Sequence, residues 1–142
     1  MEVINREARF NYFIQEEFEC GIVLTGTEIK AIREGKVNLK DSYAKIRNNE
    51  VYLLNTHISE YKEGNIFNHD PRRTRKLLLH KREILKINEL VTQKRYKIIP
   101  LKLYFVRNKV KVSLGICQGK KNYDKRESIK EKDLQRKEYI NF

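Results

Sequence analysis

Apolar and polar positions alternate most regularly in the last third of the chain. Val110, Val112 and Leu114 alternate with Lys109, Lys111 and Ser113, which predicts a strand with one buried face and one basic face. Lys97–Val106 supplies the partner arm and Arg107-Asn108 the turn of a hairpin that runs to Cys117. An earlier hairpin has Tyr43, Lys45 and Arg47 alternating with Ala44 and Ile46, a turn at Asn48-Asn49, and a return through Val51-Tyr52-Leu53-Leu54. Residues 10–19 are bulky and aromatic and predict a further strand, with Gly21 as a kink or bulge before Ile22-Val23-Leu24.

Two helices are expected between these strands. Thr25 and Glu28 have capping-box spacing, Ile29 and Ile32 share a face, and Gly35 is a natural stop. A second helix is predicted over residues 80–92, turning Ile84, Ile87 (or Leu85) and Val91 inward. Residues 59–74 lack periodicity and read as an exposed loop, followed by a strand at Leu77-Leu78-Leu79. With strands at hairpin spacing and no βαβ repetition, the fold class is mainly β. The expected architecture is a small OB-like antiparallel barrel of about six strands with two to three short helices. Residues 1–123 form this barrel domain. Residues 124–142 hold no Gly or Pro, and their apolar positions Ile129, Leu134 and Tyr139 step by five, which makes no continuous helical stripe. They read as a basic tail, helical or disordered, that orders on a partner.

Charge sharpens this outline. The 142-residue chain carries 31 Lys and Arg against 19 Asp and Glu, a formal charge of +12. Residues 1–69 balance to −2, with 9 basic and 11 acidic side chains, so the excess lies in the second half. Such asymmetry favours an anionic polymer as partner. The window 71–82 contains Arg72, Arg73, Arg75, Lys76, Lys81 and Arg82 and no acid. Guanidinium forks there suit phosphate oxygens, the alternative being a solvated loop. Downstream, Gly119, Lys120, Lys121 and Tyr123 interleave close backbone approach, charge and a stacking ring, as looped or single-stranded RNA requires.

Other chemistries find little footing. Cys20 and Cys117 lack a CxxC or Cys/His setting and read as buried thiols, a disulfide being the alternative. His57, His69 and His80 match no zinc spacing, and no metal or other cofactor is expected. No apolar run reaches the roughly 18 residues of a membrane span, and no signal peptide is visible. No nucleophile motif occurs, so the chain reads as a binding protein and not an enzyme. A metal-dependent RNA-processing enzyme using Glu28 or Asp41 is the remote alternative, and a generic OB-type ribosome-associated RNA binder the nearer one.

Several segments carry a family resemblance. Asn5-Arg6-Glu7-Ala8-Arg9, Leu24-Thr25-Gly26-Thr27-Glu28-Ile29-Lys30 and Asn38-Leu39-Lys40-Asp41-Ser42-Tyr43 resemble the SsrA-binding proteins, the SmpB family. So do His69-Asp70-Pro71-Arg72-Arg73-Thr74-Arg75-Lys76-Leu77-Leu78-Leu79 and Gly119-Lys120-Lys121 with Asp124-Lys125-Arg126. The resemblance implies a cytoplasmic RNA-binding protein, likewise an OB-type barrel with flanking helices. Such a protein binds the tRNA-like domain of transfer-messenger RNA and delivers it to stalled ribosomes in trans-translation. By position it implies RNA contacts at Asn5, with Arg6 beside it, and at Glu19, Lys120 and Lys121. Leu79 matches an apolar contact, with barrel core as its alternative. Asp124, Lys125 and Arg126 match the motif that launches the tail. Ile129, Lys130, Leu134, Tyr139 and Ile140 then belong to a tail occupying the empty messenger channel of the small subunit at the decoding region. The partners implied are thus transfer-messenger RNA and the ribosome, with no membrane, for a monomeric protein.

Overall fold

The computed structural model describes residues 2–61, 68–121 and 126. Six strands close into an antiparallel ring. They are β2 (Tyr12–Ile22), β4 (Tyr43–Arg47), β5 (Glu50–Leu54), β7 (Arg75–Leu78), β8 (Lys97–Val106) and β9 (Lys109–Gly119). Their order around the ring is β8-β4-β5-β7-β2-β9, and the β8–β9 pairing closes it. A short β1 (Glu2–Ile4) extends the free edge of β8, and β3 (Val37–Asn38) pairs with β6 (His57–Ile58) as a separate ribbon. Three helices complete the fold: α1 (Ala8–Asn11), α2 (Gly26–Arg33) and α3 (Lys81–Lys94).

Local chemistry accounts for most boundaries. Asn48 and Asn49 both have positive φ, as do Arg107 and Asn108, which matches the right-handed strand twist in tight two-residue hairpins. Thr25 caps α2 reciprocally with Glu28, and Gly35 at φ +74° ends that segment in the left-handed region. Ile84 and Ile87 of α3 and Ala31 and Ile32 of α2 enter the barrel core with Leu53, Leu77, Val112, Leu114 and Ile116. Leu85 faces solvent instead.

Three expectations need correction. Residues 10–19 are not one strand: α1 takes the first two, because Ala8 docks against Ile99, Leu101 and Cys117 and pulls the chain over the sheet. Gly21 is neither a kink nor a bulge, since β2 runs through it in register; the irregularity falls between Ile14 and Glu16. There one extra residue reverses which side chains face outward. The return arm β9 is not basic along its whole outer face, because Ser113 and Cys117 are buried.

Cys20 lies in the main core and Cys117 in the small cluster under α1, both as free thiols. Burial pushes Cys20 up to about 12 and Cys117 up to about 11.

Candidate nucleic-acid interface

Residues directly opposite one another on antiparallel strands share a face, so the register places the side chains. Across β2, β9 and β8 the rows read Ile14–Cys117–Lys97, Glu17–Gly115–Ile99, Glu19–Ser113–Lys102 and Gly21–Lys111–Tyr104. Since Ala8 packs on Cys117 and Ile99, this is the outer face that α1 covers. Its upper part is a small apolar cluster under α1, and its lower part is an open polar patch around Glu19.

In that patch the Tyr104 hydroxyl donates to the Glu19 carboxylate across the intervening β9 strand. Burial, then this bond to Glu19, raises Tyr104 to about 12, so it remains a donor. Lys102 Nζ sits 5.2 Å from the Tyr104 ring centroid and 3.4 Å from Glu2 Oε1. Glu19 therefore presents an exposed, oriented carboxylate beside Lys102 and Lys111. Cations draw in a phosphate backbone, whereas a fixed carboxylate accepts from base N–H groups and repels a phosphate that arrives in the wrong register.

Asn5 holds the top of the same face. Its backbone N–H donates to Leu101 O at 2.8 Å and its Nδ2 to Pro100 O at 3.0 Å, which ties the start of α1 to β8. The irregularity of β8 between Pro100 and Lys102 frees those carbonyls. Leu101 lies over Gly115, where a Cβ would meet Leu101 Cδ2 at 2.9 Å, so any side chain at 115 makes Leu101 shift. Arg6 is exposed next to Asn5. At the end of β9 the Lys120 N–H donates to Asn11 O at 2.8 Å, and Lys120 Nζ lies 4.9 Å from the Phe13 ring centroid. Lys121 is exposed beyond it. Asn5, Arg6 and Lys120 thus gather around α1, while Glu19 lies further down the face, with Ser113 about 20 Å from Gly119 along β9 at strand rise. This is an extended footprint, not a pocket.

The basic run at 72–76 is divided differently. Arg75 is the correction: its side chain is fully buried, donating from Nε to Glu28 and from Nη1 to Thr56 O at 2.8 Å. On β7 it shares the inward face with Leu77, so its guanidinium is unavailable to a phosphate and serves the fold. Arg73 is partly committed, reaching the same carboxylate at 2.6 Å and Val23 O at 3.1 Å. Burial works to raise the Glu28 carboxyl, but the bonds from Arg73, the Thr25 N–H and Arg75 prevail and hold it at about 2. Glu28 is thereby consumed structurally, which removes it as the metal ligand of a nuclease. Arg72 is exposed and donates to Asn55 Oδ1, and Lys76 lies outward, 3.7 Å from Glu50. Leu79 packs in part against the main core, whereas its neighbour Leu78 is 52% exposed.

Tyr123 and the tail residues Asp124, Lys125, Ile129, Lys130, Leu134, Tyr139 and Ile140 lie outside the described residues; Arg126 is described and exposed. Among the described residues, no group of three or more His, Cys, Asp or Glu is placed to hold a metal ion. None of their helices is long and apolar enough to cross a membrane. Tyr104, Lys102 and Lys111 escape a reading by basic runs. The turn at Arg107-Asn108 alone registers Tyr104 against Lys111, and that was the available signal.

Known proteins share this sequence and architecture. A family model described as SmpB protein matches residues 2–141. An SsrA-binding protein of Clostridium tetani (strain Massachusetts / E88) is 59% identical over 132 residues, 93% of this chain and 85% of that protein. An SsrA-binding protein of Shouchella clausii (strain KSM-K16) is 58% identical over the same shares of each. A chain from a solved structure described as "tmRNA-SmpB: a journey to the center of the bacterial ribosome" superposes with a TM-score of 0.72 at 44% identity. That match covers 90% of this chain and 94% of the other.

Proposed function

The chain belongs to the SmpB family, and we propose that it binds the tRNA-like domain of transfer-messenger RNA and delivers it to stalled ribosomes in trans-translation. The observation that carries this reading is the α1-covered face. It joins Asn5, Arg6 and Lys120 as a basic and polar grip to the carboxylate of Glu19, which the Tyr104 hydroxyl orients, whereas Glu2 and Glu17 on the same side are paired with Lys102 and Arg9. A generic polyanion binder has no use for that carboxylate. Lys121, Arg72 and Lys76 add phosphate contacts, with Arg73 contributing its exposed edge. Tyr123 stacks on RNA, and Leu79 contributes an apolar contact from the part of its side chain that the core leaves uncovered.

The protein acts in the cytoplasm as a monomeric binding partner and not as an enzyme. Residues 1–123 carry the RNA, and residues 124–142 carry the ribosome contact. Asp124, Lys125 and Arg126 launch the tail into the messenger channel at the decoding region of the small subunit. Ile129, Lys130, Leu134, Tyr139 and Ile140 line it there. Removing residues 130–142 tests this division. RNA affinity should stay almost intact while peptide tagging on stalled ribosomes is abolished. Loss of RNA binding in proportion to tagging would contradict it.

A further inference from the structure

The ribbon of β3 and β6 edges a polar hollow of about 310 Å³, lined by Asn38, Lys40, Asp41, His57 and Arg72. Asn38 lies opposite His57 in the ribbon's register, so their side chains stand on one face. Asn38 Oδ1 accepts from the Lys40 N–H at 2.9 Å, which makes Nδ2 the donating end of that amide. Among the described residues, the Lys40 ammonium, the His57 ring and Asn38 Nδ2 have no hydrogen-bond or ionic partner. Asp41 is the one acid in the lining, and its carboxylate pairs with neither Lys40 nor Arg72. Nitrogen donors from both sides of the hollow are therefore open to a ligand.

Arg72 is clamped at this hollow by a chain of polar contacts that runs into the barrel wall. Its Nη1 donates to Asn55 Oδ1, and its backbone N–H to Asp70 Oδ1 at 2.9 Å. Asn55 is fixed in turn. Its Nδ2 donates to Asp41 O at 3.1 Å, and its carbonyl accepts from Ser42 Oγ at 3.3 Å. Ser42 Oγ accepts from Thr56 Oγ1 at 2.9 Å, and Thr56 O accepts from the buried Arg75 at 2.8 Å. Ser42 and Thr56 are both buried. Asp41 and Asn55 each have φ of 61°, and left-handed non-glycine residues of this kind persist where neighbours over-determine them. One edge of an exposed guanidinium is thus held in place, while its other N–H groups have no partner among the described residues.

We propose that this hollow binds the terminal phosphoryl group of a phosphomonoester. The number and kind of its donors select the ligand. A terminal phosphoryl offers three acceptor oxygens and a charge of about −2 near neutral pH, and it enters by a single ester link. A phosphodiester offers fewer free oxygens and less charge, and its chain must both enter and leave. Lys40 and Arg72 match the charge, Arg72 with a guanidinium fork, and Asn38 and His57 supply N–H donors from the ribbon. Asp41 is an acceptor and suits a hydroxyl on the organic part of the ester. The inference narrows the phosphate contact assigned to Arg72 above, and it rests on that reading at this one residue.

Titration of the isotope-labelled full chain at constant ionic strength, followed by NMR, tests the proposal with ribose 5-phosphate against the diester dimethyl phosphate. The amides of Asn38, Lys40, Asp41, His57 and Arg72 should shift together and saturate with the monoester and stay still with the diester. Lys40→Ala should weaken ribose 5-phosphate about tenfold. Asn55→Gly, which accepts the positive φ and leaves every charge in place, should weaken it several-fold by releasing Arg72. Equal affinity for dimethyl phosphate, silent hollow amides, or parental affinity in either variant would overturn the proposal. A short RNA with a 5′-phosphate then separates the two sources of such a group. Tighter binding than ribose 5-phosphate assigns an RNA end, and equal or weaker binding assigns a free sugar phosphate. Equal shifts at the same amides from the 5′-hydroxyl form of that RNA would contradict both. Filter retention of transfer-messenger RNA on the same protein keeps the readings apart. Retention with a silent hollow sinks only the hollow, whereas a saturating hollow without retention sinks only the proposed function.

Discussion

Arg75 and Glu28 form an ion pair in which neither side chain is exposed to solvent. It joins α2 to β7 inside the barrel wall, and Arg73 completes it from the rim. Removing either partner leaves an uncompensated buried charge. Glu28→Ala or Arg75→Ala should therefore cost about 3–5 kcal/mol of stability. Arg72→Ala, at an exposed position, should stay within about 0.5 kcal/mol. Urea denaturation of the three variants checks the contrast, and comparable losses would show that Arg75 is not structural.

The same carboxylate gives the fold an acid limit. Glu28 sits at about 2 when folded against an ordinary 4.5, so it is a depressed acid. Its stabilisation is fully present above about 4.5 and is lost as pH falls toward about 2. Urea midpoints should fall across that window in the parent protein. They should fall less steeply in Glu28→Gln, whose baseline is lower.

Gly115 sets the spacing under α1. Gly115→Ala pushes Leu101 off the sheet and should destabilise by about 1–3 kcal/mol. Since Leu101 O anchors the Asn5 N–H, RNA affinity should drop as well. Adding Leu101→Ala should recover part of the alanine penalty at 115, which a double-mutant cycle reads directly. Strict additivity would show that the two do not collide.

Tyr104 orients Glu19, so its hydroxyl matters to recognition without contributing charge. Tyr104→Phe should weaken transfer-messenger RNA several-fold while leaving the salt dependence of binding unchanged, because no phosphate contact is lost. A changed salt slope would assign Tyr104 to the backbone instead.

Much of this architecture was legible in the sequence, and its lapses have physical causes. Both hairpin turns could be read because their paired residues include asparagines, which tolerate positive φ. The α2 cap was legible because a capping box is a local signal. By contrast, α1 is only four residues long and owes its place to Ala8 docking on β8 and β9, contacts distant in sequence. The irregularity at Gln15 leaves no compositional trace, yet it decides that Glu17 and Glu19 face outward. Arg75 was misread for a similar reason. A run of arginines looks like a phosphate site until one of them meets an acid 47 residues away. Charge runs report how many cations there are, whereas strand parity reports which of them reach solvent.

The most direct measurement compares filter binding of transfer-messenger RNA and bulk tRNA to the parent protein and to Glu19→Ala, across a salt series. The parent should retain transfer-messenger RNA well above bulk tRNA. Glu19→Ala should lose most of that preference while keeping its general affinity and its steep salt dependence. Equal binding of both RNAs by the parent, or equal losses for both RNAs in the variant, would contradict the account.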